Sequence, residues 1–116
     1  MSYDIEICVK VDGTENTYAC VARPKYPSPT YNLGKMFRVC TGWDYTQGEW
    51  YKCSEVIDNI NHGIQELSCN AKAYKQYEPD NGWGTISGAK QVLESLRDCI
   101  YEQAENIPIN CLYVRW

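Results

Sequence analysis

YDIEICVKV, residues 3–11, puts Tyr3, Ile5, Ile7, Val9 and Val11 on one side of an extended chain and Asp4, Glu6, Cys8 and Lys10 on the other. A repeat of two is the pattern of a half-buried β-strand. DGTEN, 12–16, reads as a turn in which Gly13 is free to take a positive φ. TYACVA, 17–22, runs back, so the chain is expected to open with a β-hairpin. At the other end, in IPINCLYVRW, Ile109, Cys111 and Tyr113 alternate with Leu112, Val114 and Trp116. A strand with two apolar faces is buried inside a sheet or against another chain, and this one is expected to join the hairpin. A homodimer is one way to bury it.

Between these strands the apolar period lengthens to that of helices. NLGKMFRVC, 32–40, reads as a short helix capped by Asn32, with Leu33, Met36, Phe37 and Cys40 on one side. Residues 54–70 read as a long helix capped by Ser54, with Val56, Ile57, Ile60, Ile64 and Leu67 as its stripe. Gly63 lies next to that stripe, where close packing by another element is expected. AKAYKQYEP adds a turn or two before Pro79 ends it. Residues 85–106 form the second long helix, capped by Thr85 and buried through Ile86, Ala89, Val92, Leu93, Leu96, Cys99 and Ile100. RPKYPSPT, 23–30, holds three prolines and reads as an extended crossing. Residues 41–53 read as irregular. The expected fold is α+β: one domain over 1–116, a small antiparallel sheet of N-terminal hairpin plus C-terminal strand, covered by two long helices and one short helix.

Composition narrows the function classes. The chain is 44% apolar and 22% charged, as folded domains are, with a net charge of −4. No basic stripe is available to neutralise phosphates, so direct nucleic-acid binding is not expected, although an acidic protein can dock on a basic surface. Residues 1–11 lack a secretory pattern and no run approaches the ~20 apolar residues of a membrane span, so a cytoplasmic protein is expected. Seven cysteines occur without a CxxC pair, and His62 is the only histidine. Neither a metal site nor a disulfide framework is expected, and most thiols are assigned to the core. His62 sits in the polar stretch INHGIQ and reads as a solvated helix residue. With no catalytic pair among the carboxylates, no enzyme and no cofactor is expected.

Ten tyrosines and four tryptophans accompany one phenylalanine. Many of these aromatics fall in two irregular segments, TYNLGKMFRVCTGWDY at 30–45 and YEPDNGWGT at 77–85, each with an asparagine and a tryptophan beside a helix start. One reading is structural: Asn32 and Thr85 cap helices, and Trp43 and Trp83 cover the core edge. The other is a shared cleft. There, Trp43, Trp83 and Tyr31 stack on a planar group, and Asn32 and Asn81 hydrogen-bond to it. Arg38 and the amides after Gly84 receive a phosphate, and Asp44 completes the lining.

The same residues resemble a family. Thr30-Tyr31-Asn32, Met36-Phe37-Arg38, Gly42-Trp43-Asp44, His62-Gly63-Ile64, Tyr77-Glu78-Pro79 and Asn81-Gly82-Trp83-Gly84 are similar to motifs of small proteins encoded by phages and prophages of Firmicutes and gut bacteria. The resemblance spans residues 3–105 and leaves 106–116 outside. It implies an accessory role in an infected bacterial host, such as inhibition of defence. The resulting expectation is an anti-defence protein that sequesters a nucleotide-derived immune signal, of the ADP-ribose type or a cyclic dinucleotide, without catalysis. The alternative is an anti-CRISPR-type inhibitor that docks on a basic surface of a host defence nuclease. A third reading, an enzyme that degrades the signal, has only scattered acids in its favour.

Overall fold

The computed structural model of the chain describes residues 2–11, 13, 17–82 and 84–116. The expected hairpin is present as β1 (Glu6–Lys10) and β2 (Tyr18–Ala22), antiparallel, with Cys8 opposite Cys20. Of the expected turn at 12–16, Gly13 is described, at φ +80°, and the other four residues lie outside the described set. The C-terminal strand joins the hairpin. With β3 (Tyr51–Lys52) and β4 (Leu112–Arg115) the antiparallel sheet has the order β2-β1-β4-β3. β4 is therefore interior to the sheet, and its two apolar faces are accounted for within the chain. Leu112, Val114 and Trp116 are buried, while Tyr113 is half-buried under the ring of Tyr18. Ile109–Cys111, expected to extend this strand, instead forms a 3-10 turn that leaves Cys111 exposed.

The helices follow their apolar periods. α1 (Gly34–Thr41), α2 (Cys53–Cys69) and α3 (Ile86–Ala104) lie within a few residues of the expected bounds. α2 is central: it packs on α1, α3 and the inner face of the sheet. Its stripe of Val56, Ile60, Ile64 and Leu67 is buried as expected, and Ile57 lies at the margin. Gly63 meets side chains rather than another backbone. A methyl there would lie 2.7 Å from Thr41 Cγ2 and 3.0 Å from Leu93 Cδ1. Two expected caps are displaced. α2 begins one residue early, with Lys52 at the cap position in place of Ser54. Thr30 rather than Asn32 caps the 3-10 turn Tyr31–Leu33 that leads into α1, its hydroxyl accepting the Asn32 amide. Thr85 caps α3 as expected, accepting the Gly88 amide at 2.9 Å.

The outer sheet face is more covered than strict alternation implies. Glu6 and Cys8 point away from the helices, yet both are buried. β1 has neighbours on both sides, and Arg115 and Arg23 close over the Glu6 carboxylate. Tyr18 stacks on Trp50 at 4.1 Å, and the Arg115 guanidinium lies 4.6 Å from the Trp50 ring. Among the described residues, no helix is long and apolar enough to cross a membrane.

Candidate functional site

The segment 23–30 and the end of the segment 77–85 contribute to the walls of an apolar groove. Prolines leave the first of these extended, and its carbonyls still serve as acceptors. Tyr3 N–H donates to Pro29 O at 2.8 Å and Ile5 N–H to Pro27 O at 2.7 Å. The crossing is thereby fixed beside residues 2–5. In the second segment, the 3-10 helix Ala71–Tyr77 ends ahead of Pro79, and the Gly82 amide closes a turn onto Pro79 O. Gly84 then takes φ +140°, a value that suits glycine.

The two irregular segments touch where Gly84 meets Leu33. A methyl on Gly84 would lie 2.8 Å from Leu33 Cδ2, so the glycine backbone sits directly against Leu33. A groove opens on each side of this junction. One, of about 410 Å³, is lined by Asn32, Lys35, Gln76 and Tyr77–Asp80, with Lys35 Nζ 5.6 Å from the Tyr77 ring centre. The other, of about 450 Å³, is mostly apolar. Tyr26, Pro27, Pro29, Leu33 and Val92 form its walls, and Lys25, Gln91 and Thr85 supply polar groups at its edges. It runs on, past Lys25, Tyr26 and Gln91, into a third and more polar groove between residues 22–26 and α3, lined by Arg23 on one side and by Glu94, Asp98 and Glu102 of α3 on the other.

The residues singled out from the sequence divide into two groups. Asn32 and Gly84 line the grooves at the junction, and Asn81 is exposed in the turn just before it. Tyr31, Arg38 and Trp43 belong to a separate aromatic cluster, and the Asp44 carboxylate is exposed beside it. Trp43 is only 8% exposed, with its ring 5.5 Å from Tyr45, 5.1 Å from Tyr51 and 5.9 Å from Trp116, so no face is open to stack on a ligand. Its indole N–H has no hydrogen-bond partner among the described residues, nor has that of Trp116. Arg38 donates from Nε to Tyr45 O at 3.1 Å and lies 4.3 Å over the Tyr45 ring, with Asp44 at 3.7 Å. Its charge already has partners. Tyr31 rests edge-on against Tyr3, and its hydroxyl accepts from Gln47. Trp83 lies outside the described residues.

The first turn of α3 is also occupied. Glu78 Oε2 accepts the Ile86 amide at 3.0 Å, and Thr85 takes that of Gly88. A carboxylate of the chain thus sits where the sequence suggested a phosphate, because an acid in the preceding turn complements a helix N-terminus in the same way. Lys25, Tyr26, Lys35, Gln91 and Val92 were not foreseen as lining. The three prolines at 24–29 were the available signal, since an extended segment without its full set of donors makes a wall rather than a strand. No protein-family model, curated protein or solved structure matches the chain.

Proposed function

We propose that the protein is a non-catalytic binding protein that captures a small planar anion of the nucleotide-derived signal class, in the groove bounded by Tyr26, Pro29, Leu33 and Val92. The observation behind this reading is the groove itself. Its volume of about 450 Å³ falls in the range of small-ligand sites, and its lining is apolar with a few polar groups at the edge. A base would lie between the proline wall and Val92, with the Gln91 amide at its edge. Lys25, held near the Tyr26 ring at 5.5 Å, would meet a phosphate. These roles replace the stacking by Trp43 and the phosphate contact by Arg38 expected from the sequence, since both side chains are engaged in the aromatic cluster. Removing such a signal in an infected cell would make the protein an anti-defence factor, a setting drawn from the motif resemblance. A thermal-shift panel of ADP-ribose-type molecules and cyclic dinucleotides tests the proposal. A raised melting temperature with at least one, without turnover, supports capture. No shift across the panel with folded protein rejects it.

A second reading has its own observation. Glu94, Asp98 and Glu102 repeat every four residues along one face of α3, beside the polar groove. That face suits docking on a basic surface of a host defence nuclease. Retention of such a nuclease in a pull-down, weakening as salt is raised, would support this reading, whereas salt-insensitive retention or none would not.

A further inference from the structure

Outside these grooves, the outer face of the sheet holds a pair of thiols that the sequence reading assigned separately to two strands. Cys8 and Cys20 are direct partners across the antiparallel β1–β2 ladder. Their sulfur atoms and a Glu6 carboxylate oxygen all lie within 4.8 Å of one another. The ladder shifts register between Ile7 and Cys8, yet the two sulfurs stay close, and partners facing each other across antiparallel strands have Cα atoms about 4.5–5.5 Å apart, inside the span a disulfide bridges. The two thiols differ in access: Cys20 is exposed on the edge strand, and Cys8 is 1% exposed beneath it. The neighbouring charges decide between two uses of this cluster. Arg115 and Arg23 both reach the Glu6 carboxylate, so a cation placed there would face two guanidiniums and an acid already engaged. A disulfide introduces no charge and meets no such opposition.

We propose that Cys8 and Cys20 form a redox-modification site that is oxidised to an intramolecular disulfide by a low-molecular-weight disulfide, with Cys20 as the attacking thiol and Cys8 as the resolving one. In the first step the Cys20 thiolate attacks one sulfur of the oxidant RSSR. The Cys20–SR bond forms, the RS–SR bond breaks, and RS⁻ leaves. In the second, the Cys8 proton passes to water as its sulfur attacks Cys20 Sγ, a slow step because burial and the Glu6 carboxylate push this thiol up to about 12. The Cys8–Cys20 bond forms and a second RS⁻ is expelled. The protein loses two electrons and the two thiol protons, and RSSR becomes two RSH. The product ties the edge strand β2 covalently to β1.

The test is incubation of the full chain with oxidised glutathione at neutral pH, alkylation of remaining thiols, and peptide mass mapping without reductant. The expected result is a Cys8–Cys20 cross-linked peptide. A thermal midpoint about 10 °C higher than in reductant should accompany it, as loop closure implies. Cys8→Ser should leave glutathione stably attached to Cys20. Because Cys8 is buried and a hydroxyl in its place costs stability, Cys20→Ser provides a second reading on an exposed position: in it Cys8 should remain a free thiol. Stable glutathione on Cys20 of the unmodified sequence, a cross-link from Cys20 to any other cysteine, or oxidation of Cys8 in Cys20→Ser would each overturn the proposal.

Discussion

Trp43 shows how a residue in an irregular, glycine-flanked stretch can belong to the core. Its indole packs against Tyr45, Tyr51 and Trp116, and Tyr45 stacks on Trp116 at 4.5 Å with nearly parallel rings. Tyr45 also donates its hydroxyl to that of Tyr3 at 3.0 Å, so one cluster joins residues from both ends of the chain. Trp43→Ala is expected to cost about 3–5 kcal/mol, the usual range for deleting a buried large aromatic, as measured by denaturant unfolding. A loss under about 1 kcal/mol would mean that the ring is a surface group. The structural reading of Trp43 as a cover of the core edge holds, but its partners were not legible, because Tyr45, Tyr51 and Trp116 come from separate parts of the chain and follow no local period. Arg38 was misread for the same reason: its carbonyl and ring partners both come from Tyr45, beyond the end of α1.

At the scale of elements, helix-period stripes were the most legible feature. α2 and α3 bury the residues that spacing alone selected, apart from Ile57 and Ile86 at the margins, since packing on one face is what a long amphipathic helix requires. β3 was missed because two residues carry no period, and it exists through pairing with β4. Cap positions moved where another side chain was better placed, as with Thr30 in place of Asn32. Gly63 tests the packing of α1, α2 and α3 together. Gly63→Ala would gain about 1 kcal/mol of helix propensity in isolation. The added methyl would press on Thr41 and Leu93, and a net destabilisation of about 1–2 kcal/mol is expected from overpacking. A more stable variant in thermal melts would show that these helices are less closely apposed.

For the whole molecule, the α+β class and the hairpin-plus-terminal-strand sheet were legible, because alternation at each end and helical periods between them leave few arrangements. The grooves were not, since each is made by segments distant in sequence, as where Leu33 and Gly84 meet in the wall of the apolar groove. The buried thiols give a global prediction. Burial pushes Cys8, Cys40 and Cys53 up to about 12 and Cys99 to about 11, from an ordinary value of 9.0, with Glu6 adding to the effect at Cys8. The fold therefore favours the protonated thiols. Their contribution is complete below pH 9.0 and is lost as pH rises towards 11–12, at about 1.4 kcal/mol per pH unit for each thiol. Denaturant midpoints should hold steady around neutral pH and fall steeply above 9.0; a flat profile up to 11 would contradict this burial.

Ligand capture in the apolar groove is tested most directly by calorimetry on the unmodified chain and on Gly88→Leu. Gly88 lines the groove, and among the described residues only Thr85 Oγ1, at 3.2 Å, lies close to where its side chain would begin. The leucine is placed to fill the groove while favouring the helix. Capture predicts heat with an ADP-ribose-type molecule or a cyclic dinucleotide for the unmodified chain, and its loss in Gly88→Leu with folding intact. Equal binding by both proteins would place the ligand elsewhere and contradict the groove as the site.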